Sequence, residues 1–155
     1  MTYTVAFMCH TVMYYWENCQ FVVVFAIYMC DNNYIKLCTY NVNGLGNYKK
    51  RKDVFDYLRT ENASIYFLQE THLKTKAENM VRAMWGYDCI LNGNNTNWNV
   101  VAVLFKNNFD FRLHTVISDD EGKYNILDIE MLGKRMTLVN LYAPFSGEHP
   151  DFIYF

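Results

Sequence analysis

The first thirty residues contain no lysine or arginine and a single acid, Glu17. A secretory signal would open with positive charge and end on a small-residue cleavage site, and neither is present. Nor is there an apolar run of the roughly 20 residues that a helix needs to cross a bilayer. The strongest candidate, residues 21–30 (FVVVFAIYMC), has ten, and extending it backwards takes in Gln20, Asn18 and Glu17, each costly in lipid. Membrane association is therefore not expected. The β-branched run Val22, Val23 and Val24 reads as a buried strand, or as an added segment whose fold the rest does not require. The five cysteines (Cys9, Cys19, Cys30, Cys38 and Cys89) are odd in number, and no two have the spacing of a structural zinc site. They read as reduced thiols of an intracellular protein, nuclear or cytoplasmic. An excess of positive charge is lacking too: 14 Lys and Arg against 16 Asp and Glu leave a net charge of −2. Bulk attraction to nucleic acid is thus excluded, while a local basic patch is not.

What is present is material for a core. Hydrophobic residues make up 52% of the 155 and charged residues 19%, which excludes intrinsic disorder and fits one domain. No repeat, low-complexity tract or linker interrupts it. From Asp31 onward the pattern is that of an α/β protein. Ile35, Leu37 and Thr39 alternate with Lys36, Cys38 and Tyr40 as in a strand. A polar turn over residues 43–47 precedes a helix over 51–60, with Val54, Phe55 and Leu58 on one face. Residues 65–68 form a short apolar run, as in a strand buried on both faces. Thr75 and Glu78 have the spacing of a capping box, and Ala77, Met80, Val81 and Met84 that of a helix face.

The second half reads as an antiparallel meander. Strands are predicted over 100–105, over the alternation Phe109, Phe111, Leu113, over Leu127, Ile129, Met131, and over 136–142. Turns fall at Asn107 and Asn108, at the acidic loop 119–122, and at Gly133 and Lys134. An αβ start followed by a meander predicts mixed sheets with helices outside.

Three predicted strands end in polar groups. The first ends in Asn41-Val42-Asn43-Gly44-Leu45, which can equally be turn chemistry. The second ends in Leu68-Gln69-Glu70-Thr71-His72. A carboxylate leaving a buried strand suits a hard cation such as Mg²⁺, or a helix macrodipole. His72 reads as a rim residue or a partner of a ligand. The third ends in Asn140-Leu141-Tyr142-Ala143-Pro144, where Tyr142 presents a hydroxyl, or is a core aromatic with that hydroxyl satisfied.

In this order and spacing, the segments CTYNVNGLGNYKKRKDVFDYLR, YFLQETHLK and MTLVNLYAP resemble the endonuclease/exonuclease/phosphatase superfamily of the exonuclease III and apurinic endonuclease type. Among its branches they are most similar to the endonuclease domain of LINE-type non-LTR retrotransposons. The resemblance runs from about Tyr34 to Pro150. It implies a partial, truncated four-layered α/β sandwich, two mixed β-sheets flanked by helices. Residues 34–155 would be the N-terminal half of such a domain, with 1–33 unassigned. It also implies hydrolysis of DNA phosphodiesters with Mg²⁺ or Mn²⁺ and no small-molecule cofactor. By similarity Asn41, Glu70 and Tyr142 would be catalytic. Glu70 would be the principal metal ligand with Asn43 beside it, and Tyr142 would face the scissile phosphate. The basic run Lys49, Lys50, Arg51 and Lys52 would touch DNA phosphates, or be a solvated helix start.

Departures from the family pattern temper the activity expected. Relatives continue into G-D-x-N and S-D-H motifs that supply a further carboxylate and the Asp–His pair activating water. This sequence ends at Phe155 without them, and His149 and Asp151 lack that context. Trp98-Asn99-Val100 stands where relatives show a small residue, Arg and Gly. The expectation is a truncated copy with little or no activity. The alternatives are a non-enzymatic DNA- or metal-binding remnant, or a phosphatase of the same superfamily.

Overall fold

Alternation of apolar side chains along three central strands builds two cores at once. In the computed structural model, residues 34–95 and 100–142 are described in full, and 12–16 and 20–28 by backbone alone. Strand β1 (Val12–Trp16) pairs antiparallel with β2 (Gln20–Tyr28), and β2 with β3 (Tyr34–Asn41). The sheet thus runs unbroken across the boundary expected at residue 33. After β3 come helix α1 (Tyr48–Glu61) and β4 (Ile65–Gln69), which pairs parallel with β3. A short 3-10 turn (Thr75–Ala77) leads into α2 (Glu78–Trp85), then β5 (Cys89–Leu91) and β6 (Ala102–Phe105). The six strands lie in the order β1-β2-β3-β4-β6-β5. Strands β7 (Arg112–Ser118), β8 (Tyr124–Met131) and β9 (Lys134–Leu141) form a separate antiparallel sheet.

One face of the large sheet offers Cys38, Tyr40, Tyr66, Leu68, Ala102 and Leu104 to the helices. The other offers Ile35, Leu37, Ile65, Phe67, Val103 and Phe105 to Leu127, Ile129, Met131 and Leu138 of the small sheet. Strands β3, β4 and β6 are apolar on both faces because both faces are covered. The described residues therefore make three layers: helices, mixed sheet, antiparallel sheet. Two sheets with helices outside are as expected; among the described residues the larger sheet is mixed and the smaller antiparallel.

Local chemistry sets the helix limits. Asn47 caps α1 by accepting from Lys50 N (3.0 Å), so the helix begins three residues before the predicted start. It ends at Asn62 in the left-handed conformation. In α2, Val81 and Trp85 are buried, whereas Met80 is half exposed. Trp85 meets the rings of Phe55 and Tyr66 at 5.2 and 5.5 Å, and its indole N–H donates to the Phe105 carbonyl (3.0 Å).

Two local expectations are corrected. Thr75 and Glu78 form no capping box. The Thr75 hydroxyl donates to the Gly93 carbonyl (3.0 Å) and the Glu78 carboxylate accepts from Gly93 N (2.8 Å), so together they clamp the loop after β5. Phe109 and Phe111 are not in a strand. They stack with Phe105, Phe111 at 4.0 Å, and close the end of the intersheet core before β7 begins.

Among the described residues no helix is long and apolar enough to cross a membrane. Cys38 and Cys89 are free, buried thiols. Cys9, Cys19, Cys30, Trp98, Asn99, Pro144, His149 and Asp151 lie outside the described residues.

Candidate functional site

Where β3 and β4 end, their parallel pairing continues through the loops that follow. Val42 N donates to Gln69 O (3.0 Å), Gly44 N to Glu70 O (2.6 Å) and Leu45 N to Thr71 O (2.7 Å). From the other side Thr71 N reaches Val100 O (2.9 Å), Val101 N reaches Gly122 O (3.0 Å) and Tyr142 N reaches Lys123 O (2.8 Å). Five segments distant in sequence are laced into one polar rim, and Asn41, Asn43, Glu70 and Tyr142 all lie on it.

The backbone there is unusual. Asn43 (φ 44°), Glu70 (φ 52°) and His72 (φ 51°) adopt the left-handed conformation that disfavours side chains with a Cβ. Gly44 is needed on two counts: its φ is 92°, and a Cβ there would lie 3.1 Å from His72 Nδ1. The Asn41 side-chain oxygen accepts from Asn43 N (3.1 Å), folding the first motif into a turn that closes on itself. The turn reading and the rim location are both realised.

Tyr142 lies within the field of Glu70: burial first, and then the Glu70 carboxylate, raise the pKa of its hydroxyl. His72 is half-buried and its pKa is lowered by burial and by Lys50, against the opposing pull of Glu70.

The basic run does not act as one surface. Lys49 is exposed on the first turn of α1, and Lys50 Nζ donates to the Asn43 carbonyl (2.6 Å). Lys52 is exposed but paired with Asp56 (2.5 Å). Arg51 is 1% exposed and points into the core, where its guanidinium donates to the Leu45 carbonyl (2.7 Å). A phosphate cannot reach it, so the expected DNA contact is corrected for Arg51. Helical periodicity turns every third or fourth residue of such a run inward.

Asn140 on β9, two residues before Tyr142, is a further residue of this region that the strand-end motif does not single out. It is 1% exposed and its amide donates to Leu68 O (3.1 Å) and Ala102 O (2.8 Å), while its oxygen accepts from Gln69 Nε2 (2.8 Å). It ties the small sheet to the large one immediately beneath the rim. Its signal in sequence is an Asn in phase with Leu138, at a core position of β9.

Glu70 offers one carboxylate and Asn43 an amide oxygen on adjoining loops, while the Asn41 oxygen is engaged by Asn43 N. Such a set fits Mg²⁺ or Mn²⁺, ions that keep several waters and need few protein ligands. Among the described residues no group of three or more His, Cys, Asp or Glu is arranged to hold a metal ion. A cavity of about 330 Å³ opens at the opposite end of the sheet, by Asp88, Phe105, Phe109 and Phe111, where Ile65 pairs with Phe105. It is remote from the rim.

Residues 38–144 match the Endonuclease/Exonuclease/phosphatase family. Over 115 residues the chain is 29% identical to the "Transposon TX1 uncharacterized 149 kDa protein" of Xenopus laevis, an overlap of 73% of this chain and 9% of that protein. The crystal structure of TDP2 from C. elegans shares the fold with a TM-score of 0.54 at 22% identity, over 74% of this chain and 37% of that one. The truncated Caenorhabditis elegans TDP2 gives 0.55 at 21%, over 74% and 48%. The chain thus spans less than half the length of each. With its two helices on a mixed sheet, a second sheet behind, and a family match over most of its length, this chain belongs to the Endonuclease/Exonuclease/phosphatase family and is related to a transposon protein.

Proposed function

We propose that the rim bearing Asn41, Asn43, Glu70 and Tyr142 is the metal- and phosphate-binding part of a divalent-metal-dependent DNA phosphodiesterase site of retrotransposon type. The observation that carries this reading is the setting of Glu70. It stands at the end of a buried strand on left-handed backbone, bonded through its carbonyl to the Asn43-Gly44 loop, with its carboxylate within electrostatic reach of Tyr142. Glu70 would hold Mg²⁺ or Mn²⁺ with Asn43 beside it. Such an ion, when bound, neutralises charge on phosphoryl oxygens and acidifies water. Tyr142 supplies a neutral donor for a phosphoryl oxygen, and Asn41 fixes the turn that carries Asn43. Lys49 and Lys50 add local positive charge on the side from which DNA would approach. Kinship to a transposon protein supports DNA over a small phosphate ester.

A carboxylate–imidazole pair is needed to take a proton from water, and at this rim the imidazole of His72 lies in the field of Glu70, the carboxylate assigned to the metal. His114 and Glu130 (3.3 Å) form such a pair, but Glu130 lies six residues along β8 from Tyr124 at the rim, roughly 20 Å at about 3.4 Å per residue. Binding without appreciable turnover is the expected outcome. Calorimetric titration should show Mg²⁺ or Mn²⁺ binding that Glu70→Ala removes, and micromolar protein should not detectably nick supercoiled or abasic-site DNA. Absence of binding to the unaltered chain overturns the metal assignment. Nicking that Glu70→Ala abolishes would overturn the expected inactivity and make His72, the imidazole at the rim, the next residue to substitute.

A further inference from the structure

Arg51 is the one member of the basic run whose charge is fully removed from water, and its partners among the described residues explain little of that cost. Its Nη1 donates to the Leu45 carbonyl at 2.7 Å. Its Nε and Nη2 face the sulfurs of Met84 and Met80 at 3.2 and 3.6 Å, and the ring of Tyr48 lies 6.0 Å from the guanidinium carbon. Thioethers are weak acceptors, so the strong interaction is the charge-assisted bond to Leu45. That bond grips a loop whose other side holds the candidate site: Leu45 N bonds to Thr71 O and Gly44 N to Glu70 O. The loop includes two consecutive left-handed residues, Asn43 and Gly44, so local preference does not fix its shape. Lys50 takes the Asn43 carbonyl from the solvent side. Neighbouring cations of α1 thus clamp the carbonyl edge of the loop while its amide edge holds the backbone of Glu70.

We infer that Arg51 is a positioning residue for this site. It transmits the rigidity of α1 through Leu45 to the loop that sets Asn43 and Glu70, and it makes no contact with substrate. The inference rests on the function proposed for the rim, but its first test does not need metal. Amide hydrogen exchange on the full chain compares the unaltered protein with Arg51→Met, Arg51→Lys and, as a control for α1 packing, Leu58→Ala. In Arg51→Met the Gly44 and Leu45 amides should exchange on the order of tenfold faster relative to Phe67 in β4, the loss of one buried charge-assisted bond. Arg51→Lys, which keeps the charge without the planar fork, should fall between. It also carries the test if Arg51→Met does not fold. Leu58→Ala should speed rim and core together. Rim amides that keep their rate in Arg51→Met, or that accelerate only in step with Phe67, overturn the inference. Broadening of the Asn43 and Glu70 amide signals by Mn²⁺ reads the metal separately. No broadening in the unaltered chain defeats the proposed function and leaves the exchange comparison standing. Broadening at full strength in Arg51→Met defeats the positioning role.

Discussion

Asn125 and Asn140 face each other in the β8–β9 ladder, both buried, and differ in what they find there. Asn140 has partners for its oxygen and its amide group. Asn125 accepts from the Ser118 hydroxyl (2.7 Å), but its Nδ2 has no hydrogen-bond partner. The same substitution should therefore act in opposite directions. Asn140→Leu removes the amide donors to the Leu68 and Ala102 carbonyls and the acceptor for the Gln69 amide, which keeps its bond to Thr39, at a cost of about 3 kcal/mol in urea denaturation. Asn125→Leu removes an unsatisfied donor at nearly constant volume and should be neutral or stabilising by up to about 1 kcal/mol. Glu70 was readable in sequence as a carboxylate leaving an apolar strand. The burial of Arg51 was not, because a run of four cations announces charge and only the packed helix decides which one turns inward.

At the scale of elements, the strands with strict alternation, β3 and β8, and the apolar run of β4 lie where their periods placed them. Loops were harder to read, since their conformation is set by what they dock against. The acidic loop 119–122 is held by Asn92 Nδ2 on Asp119 O (3.2 Å) and Asn94 Nδ2 on Asp120 O (2.5 Å). It ends at Gly122, with φ 82°, packed so closely on Val100 that a Cβ would collide with its side chain. Gly122→Ala should therefore cost at least about 2 kcal/mol, from left-handed strain plus overpacking, seen as a lower thermal midpoint. The Thr75–Glu78 pair shows the same limit: the capping-box spacing was present, but Gly93 from a distant loop took both side chains.

For the whole molecule, two buried groups tie stability to alkaline pH. Burial pushes the Cys38 thiol from its ordinary value of 9.0 to about 12, and the Tyr66 hydroxyl from 10.0 to about 12. Both bind their protons more tightly folded than unfolded. Their contribution is complete below pH 9 and is lost as pH rises to 12, at up to about 1.4 kcal/mol per pH unit for each group in its window. Urea midpoints should fall steeply between pH 9 and 11, and less so in Cys38→Ala. The outer face of the small sheet carries a second liability. Ile117, Ile126 and Val139 are cross-strand neighbours there, Ile117 and Val139 more than half exposed. Val139→Lys should reduce self-association in light scattering while changing stability by less than about 0.5 kcal/mol.

By itself the sequence determined the period of the strands, the α/β class, the order of three strand-end motifs and hence the family. All of these are local patterns, or local patterns in series. Tertiary structure alone decided that five loops lace into one rim and that Asn140 joins the two sheets. It also decided that the Arg51 guanidinium lies beneath Leu45 instead of facing solvent. Each depends on pairings between residues up to about seventy positions apart. A hydrogen bond of that span is set by packing of whole layers, and no window of sequence contains both of its partners.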